Sequence, residues 1–285
     1  MIVVTGATGH LGRWVIEGLL RKIPAQEIVA AVRNPEKAAD FAARGVVVRQ
    51  MDYDQPKTIE AAFAGAEKVL LISGNELGKR IAQHTAAIAA AKRAGVKLLA
   101  YTSILHADTS SLKLAEEHRA TEALIRASEI PFIFLRNGWY LENYTEHLAQ
   151  ALAHGAIFGS AREGKIAAAS RADYADAAVA VLLTKGLQNK VYELGGAPFT
   201  MTDFASEVSK VSGKAVAYKD LPEAQYREAL AGAGIPAPMA EVLANADAGV
   251  ARGELDDASG DLEKLLGHPA TRFLAAVKSA LAKTT

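Results

Sequence analysis

Short runs of β-branched and other apolar residues alternate along the first half of this chain with longer stretches whose apolar positions recur at helical spacing. Residues 2–4, 28–32, 46–51, 68–73, 97–102 and 132–135 read as strands, apolar throughout rather than alternating. Between them, residues 11–20 and 81–94 carry apolar positions at helical intervals, Pro24 and Pro35 punctuate turns, and Gly45, Gly65 and Gly95 stand where helices end. Strands apolar on both faces, separated by helices, predict a doubly wound, Rossmann-type parallel sheet covered on both sides. Past Leu135 the rhythm changes. Helices are expected over 143–154, 172–184, 202–212, 223–231, 236–251, 262–266 and 271–282, with strands near 190–194 and 215–221. The expected division is a dinucleotide-binding domain over 1–140, to which 165–195 returns. A smaller, mainly helical C-terminal lobe over 141–164 and 196–285 would cover the substrate.

The first strand runs directly into Thr5-Gly6-Ala7-Thr8-Gly9-His10-Leu11-Gly12. In a nucleotide-binding turn one glycine allows the reversal from strand to helix, and one lets backbone N–H groups approach a pyrophosphate. A third lets the helix pack closely. The G-x-x-G-x-x-G spacing is a variant of the dinucleotide fingerprint, and an ordinary glycine-rich turn is the alternative. The second strand ends in Val32-Arg33-Asn34-Pro35, with no carboxylate before Glu36. Where an NAD site places an acid for the ribose 2′-hydroxyl, Arg33 offers a guanidinium fork to a 2′-phosphate, so NADPH is the expected cofactor. Asp52 either meets the adenine edge or closes its own turn, and Ser73-Gly74-Asn75 lies over the route of the nicotinamide ribose.

The fifth strand brings Ala100-Tyr101-Thr102-Ser103. A short-chain dehydrogenase would follow it with Tyr-x-x-x-Lys on the next helix, the Lys lowering the Tyr pKa so that it can serve as an acid. Residues 114–125 contain neither Tyr nor Lys. The relay is missing, and that argues against a sugar-nucleotide epimerase or dehydratase.

Composition narrows the field further. Half of the 285 residues are hydrophobic, enough for a large core, and 32 basic residues balance 32 acidic ones. That balance leaves no electrostatic footprint for nucleic acid or an anionic membrane. Cysteine is absent, which removes disulfides and thiolate chemistry, and the seven histidines show no metal-binding spacing. With no apolar run of membrane-spanning length and no signal sequence at the start, a cytoplasmic protein is expected. The apolar helix pair 81–94 and 114–125 permits a homodimer.

The glycine turn, Val32-Arg33-Asn34-Pro35, Ala100-Tyr101-Thr102-Ser103 with His106-Ala107-Asp108, and Leu135-Arg136-Asn137-Gly138-Trp139-Tyr140-Leu141-Glu142-Asn143 together resemble the NmrA-like branch of atypical short-chain dehydrogenases. Ser170-Arg171-Ala172-Asp173-Tyr174-Ala175 and Leu266-Gly267-His268-Pro269 fit the same branch, among members that reduce quinones, with triphenylmethane reductases nearby. The resemblance implies that Gly6, Ala7, Thr8, Gly9, His10 and Leu11 hold the pyrophosphate and that Arg33 holds the 2′-phosphate of NADPH. It places Ser73, Gly74, Asn75, Asn137, Gly138, Trp139, Tyr140, Leu141, Glu142 and Ala169 along the nicotinamide half. The wider branch keeps a Lys on the helix after strand five, and here Ala120 stands near that position.

The expected activity is hydride transfer from NADPH to a quinone or similar conjugated acceptor, without flavin or metal. A quinone is a strong hydride acceptor whose hydroquinone anion water can protonate, so the protein's task is positioning in a dry cleft. Trp139 and Tyr140 read either as flat apolar walls or as core, and His118, Tyr140 and Asn143 as polar contacts to the quinone or as packing residues. The alternative is a sensor that binds dinucleotide and regulates a partner without turnover.

Overall fold

Three consecutive apolar residues and Thr5 make β1 (Ile2–Thr5) a fully buried strand, and the glycine turn after it delivers α1 (His10–Leu20). Leu11, Val15, Ile16 and Leu19 recur at helical spacing and form the buried side of that helix. The unit repeats in the computed structural model, which describes residues 1–282, through β2 (Ile28–Val32), a short α2 (Ala39–Ala42), β3 (Val47–Gln50), α3 (Pro56–Phe63), β4 (Lys68–Leu71), α4 (Arg80–Arg93), β5 (Leu98–Ile104), α5 (Lys113–Ala127) and β6 (Phe132–Asn137). There follow α6 (Glu142–Thr145), α7 (Leu148–His154), β7 (Ala156–Gly159), α8 (Arg171–Leu183) and β8 (Lys190–Leu194). The last elements are α9 (Met201–Ser212), β9 (Ala217–Asp220), α10 (Glu223–Gly232), α11 (Ala237–Val250), α12 (Asp261–Leu266) and α13 (Phe273–Ala282).

Seven strands form one sheet in the order β3-β2-β1-β4-β5-β6-β8, with β1 to β6 paired parallel. This is the expected Rossmann-type sheet. Its order reverses between β1 and β4, and at such a point a crevice opens beyond the carboxyl ends of the strands. Both the glycine turn and the segment after β4 begin there.

The chain divides into two compact units. The first comprises Met1–Ile104, Glu117–Asn137 and Arg171–Tyr192, and the second Leu105–Glu116, Gly138–Ser170 and Glu193–Thr285. The core of the first gathers Val3, Val29, Phe63, Val69, Tyr101 and Phe134. Ala87, Ile88, Ala90, Ala91 and Ile125 join that core, whereas Ile81 at the start of α4 stays exposed. In the second unit β7 pairs parallel with β9, Ala156 opposite Ala217. No helix among the described residues is long and apolar enough to cross a membrane.

Two local expectations are corrected. Residues 143–154 form two helices, because the backbone leaves helical geometry at His147 (φ −106°, ψ 10°) before α7 starts. The strand β7 carries only Ile157 and Phe158 as strand-favouring residues, too short a signal to read beside the helix that precedes it.

One buried ion pair ties three elements of the first unit. Arg136 on β6 donates from Nε to Glu122 Oε1 (2.9 Å) and from Nη2 to Oε2 (2.7 Å), and Ser103 on β5 donates to Oε1 (2.7 Å). Ser103 and Arg136 stand opposite each other in the sheet, so the carboxylate of α5 receives both strands at once. Glu122→Ala removes a bidentate charged partner from the buried Arg136 guanidinium and is expected to cost about 3–5 kcal/mol in denaturant unfolding. A Glu122→Met, Arg136→Met double variant is expected to lose less than the sum of the single losses.

Candidate active site

Each glycine of the first turn has a separate job. Gly6 has φ +58°, the left-handed conformation that turns the chain out of β1. A Cβ on Gly12 would lie 2.3 Å from Gly6 O and 2.7 Å from Ala7 Cα, so Gly12 is what lets α1 seat on the turn. A Cβ on Gly9 would meet only Gly6 O, at 3.1 Å, which leaves the outer side of this residue open. Gly9 is also the N-cap of α1, and no side chain caps that helix. The arrangement is a glycine bend over the positive end of a helix, the form that binds phosphate anions.

The segment after β4 is held by side chains. Ile72 N–H donates to Thr5 Oγ1 (2.9 Å), Ser73 N–H to Thr102 Oγ1 (2.9 Å) and Gly74 N–H to His84 Nε2 (3.2 Å). Arg80, only 4% exposed, donates from Nε to Gly74 O (2.9 Å) and from Nη1 to Glu117 Oε2 (3.1 Å). Because His84 Nε2 accepts, Nδ1 carries the proton and donates to Thr121 Oγ1 (3.0 Å), which in turn donates to Glu117 O (2.8 Å). The imidazole is therefore neutral. Burial, with Arg80 adding repulsion, pulls its pKa down to about 3.

His118 lies in the same unit and is 4% exposed, with Nδ1 2.7 Å from the Tyr101 hydroxyl. Burial first, then the nearby Arg80, holds its pKa well below the usual histidine range, so it too is neutral near pH 7. Asp52 closes its own turn, accepting from Asp54 N–H (3.1 Å) and Gln55 Nε2 (3.2 Å). Arg33, 66% exposed, does have a carboxylate beside it, supplied from another part of the chain. Its Nη2 donates to Glu76 Oε1 (2.9 Å), and Lys79 Nζ stands 3.1 Å from Glu76 Oε2.

The second unit brings together the other predicted residues. Gly138 N–H donates to Leu194 O (2.9 Å), Leu141 N–H to Ala169 O (3.0 Å) and Ala169 N–H to Trp139 O (3.2 Å). Tyr140 pairs with Ala169 in a parallel bridge, so the stretch from Gly138 to Leu141 and Ala169 form one strip of backbone. A cavity of about 810 Å³ opens in this unit, with Trp139, Asn143, Tyr144, Phe204, Tyr226 and Asp247 in its wall. Asp247 accepts a hydrogen bond from Ser160 N–H, and burial pushes its pKa up to about 6. Burial also raises that of the Tyr226 phenol. At the end of β6, in the first unit, Asn137 Oδ1 is the buried side-chain atom among the described residues that lacks a hydrogen-bond partner. A buried acceptor in that state calls for a donor from outside the chain. Among the described residues, no group of three or more His, Asp or Glu side chains gathers as a metal site.

A family profile described as the NmrA-like family matches residues 1–272. The chain belongs to the NmrA-like family. It is 51% identical to quinone oxidoreductase 2 of Escherichia coli K12 over 278 residues, 97% of each chain. The crystal structure of the NADPH-dependent quinone oxidoreductase from E. coli complexed with NADPH superposes with a TM-score of 0.97 at 50% identity, covering 99% of this chain and 100% of that one. The triphenylmethane reductase of Citrobacter sp., complexed with NADP(H), does so with a TM-score of 0.94 at 42% identity, covering 98% and 100%. The bend over α1 and the orphaned Asn137 acceptor fit the dinucleotide that this NmrA-like fold implies.

Glu76, Lys79, His84, Arg80 and Asp247 were not singled out in the sequence. His84 stands between Gln83 and Thr85 in an alanine-rich helix and carries no local signal, and the distant partners of three others (Arg33 for Glu76, Glu117 for Arg80, Ser160 for Asp247) cannot be read from local spacing.

Gly9→Val is expected to keep the fold and lose binding of NADPH and NADH alike in a fluorescence titration, since its side chain would fill the open side of the bend. Gly12→Ala is expected to do the reverse first, losing about 3 kcal/mol of stability through overpacking against backbone.

The neutral His84 also sets an acid limb. The unfolded chain takes up a proton near pH 6.5, which the folded chain refuses until about pH 3. Stability is therefore full above pH 6.5 and falls below it, by about 1.4 kcal/mol per pH unit for each such group. His84→Gln is expected to flatten this limb by about one proton in urea unfolding between pH 6.5 and 4.5.

Proposed function

We propose that this NmrA-like protein is an NADPH-dependent reductase that delivers a hydride to a quinone or a similar conjugated acceptor. The observation that carries this reading is the chain-long likeness to the E. coli quinone oxidoreductase, at 51% identity. In it Gly6, Ala7, Thr8, Gly9, His10 and Leu11 receive the pyrophosphate at the open end of α1, and Arg33 receives the 2′-phosphate. For the nicotinamide half, the first unit offers Ser73 and Gly74, held by Thr102, His84 and Arg80, with Asn75 and Asn137, and the second unit offers Gly138, Trp139, Tyr140, Leu141, Glu142 and Ala169. Trp139, Tyr144 and Phe204 give the cavity of the second unit flat apolar walls suited to an aromatic acceptor, and Asn143 gives it a polar group.

Bound NADPH supplies the hydride. The protein's own contribution is orientation and exclusion of water, because α5 offers no Tyr-Lys pair and its His118 is buried, neutral and engaged with Tyr101. The two electrons of the hydride reduce the quinone to a hydroquinone anion, which takes its proton from water.

Stopped-flow oxidation of NADPH against a panel of quinones tests this reading. Deuterium at the transferring position is expected to slow a single turnover, and kcat is expected to vary little between about pH 6 and 8. His118→Ala is expected to cost less than about tenfold. A pH limb that disappears in His118→Ala or Asp247→Asn would put the proton donor on the protein. Tight NADPH binding without oxidation by any acceptor would make the protein a sensor.

A further inference from the structure

The carboxylate beside Arg33 divides its two oxygens between two cations. Glu76 Oε1 faces Arg33 Nη2 at 2.9 Å and Oε2 faces Lys79 Nζ at 3.1 Å. Asp54 Oδ2 stands 4.0 Å from the same Lys79 nitrogen, so two cations and two anions form a neutral surface group. A 2′-phosphate arriving at Arg33 adds negative charge to this group and meets the Glu76 carboxylate already in place. An unphosphorylated ribose brings no such conflict.

We propose that Glu76 sets the preference between phosphorylated and unphosphorylated dinucleotide, by competing with the 2′-phosphate for Arg33, and that Lys79 retains Glu76 once the phosphate has taken Arg33. This rests on the reading of Arg33 as the 2′-phosphate ligand. The geometry makes the exchange easy. Giving up Arg33 costs Glu76 one of two charged bonds, and the other keeps its carboxylate from swinging back toward the phosphate. Glu76 lies in a segment without helix or strand, two residues past Gly74, whose N–H and C=O are both fixed by α4. The backbone is thus anchored near the site while the side chain exchanges partners. Hydrogen bonds first from Lys79 and then from Arg33 hold the Glu76 pKa below the usual carboxylate range, so the competitor stays charged at neutral pH.

The test measures dissociation constants for NADPH, NADH and the phosphate probe 2′,5′-ADP by calorimetry at low salt. The proteins are wild type, Glu76→Gln, Lys79→Met, their double variant and Arg33→Ala. Removal of the competing charge is expected to tighten NADPH and 2′,5′-ADP by about threefold or more and leave NADH unchanged, a size in keeping with an exposed pair. Lys79→Met is expected to weaken NADPH by about threefold alone and to have no effect once Glu76 is Gln, and raised salt is expected to shrink both effects. Arg33→Ala is expected to erase most of the difference between NADPH and NADH. If it does so while Glu76→Gln leaves the ratio unaltered, the competition is refuted and the role of Arg33 stands. An unchanged ratio in Arg33→Ala overturns both. A loss from Lys79→Met that persists in the Glu76→Gln background makes Lys79 a direct phosphate ligand and overturns its proposed part.

Discussion

Beyond the last residue of β4 the backbone still has N–H groups to satisfy, and the sheet no longer supplies partners for them. Thr5, Thr102 and His84 accept from Ile72, Ser73 and Gly74 in turn, while Arg80 takes the Gly74 carbonyl. Buried backbone groups must be paired, so these four side chains decide the path of the segment at the point where the sheet order reverses. Two of them come from neighbouring strands and two from α4. The segment's course therefore follows from sheet and helix together, and neither could place it alone.

Behind α4 stands α5, whose inward residues are all committed. Glu117 receives Arg80, Thr121 receives His84, His118 meets Tyr101, and Glu122 receives both Arg136 and Ser103. Spacings of three to five residues put these groups along the side of the helix that faces the sheet. A Tyr-x-x-x-Lys pair would have to come from this helix, and here its polar side chains brace the site's walls instead.

The glycine turn, Arg33 and the strand rhythm were legible in the sequence because each is a local pattern. Gly6, Gly9 and Gly12 sit within seven consecutive residues, and their different duties follow from that spacing once the strand before them is recognised. Glu76 beside Arg33 was not legible. The two are 43 positions apart and meet only because β1 and β4 are neighbours while β2 lies on the far side of β1. His84 was hidden by its setting, an alanine-rich helix in which a polar residue reads as surface. Asp247 was hidden among alanines near the end of α11. The break at His147 and the strand β7 escaped because a two-residue irregularity and a four-residue strand fall below what periodicity resolves.

Every residue that lines the 810 Å³ cavity belongs to the second unit, whereas the glycine turn, Arg33 and the clamped segment after β4 all belong to the first. The two sets of side chains are thus free to drift separately. Changes along the cavity wall can leave the glycine bend untouched. Structures that superpose on this fold carry names as different as quinone oxidoreductase and triphenylmethane reductase. A lineage that inherits one half nearly intact and remodels the other would arrive at such a spread by small steps.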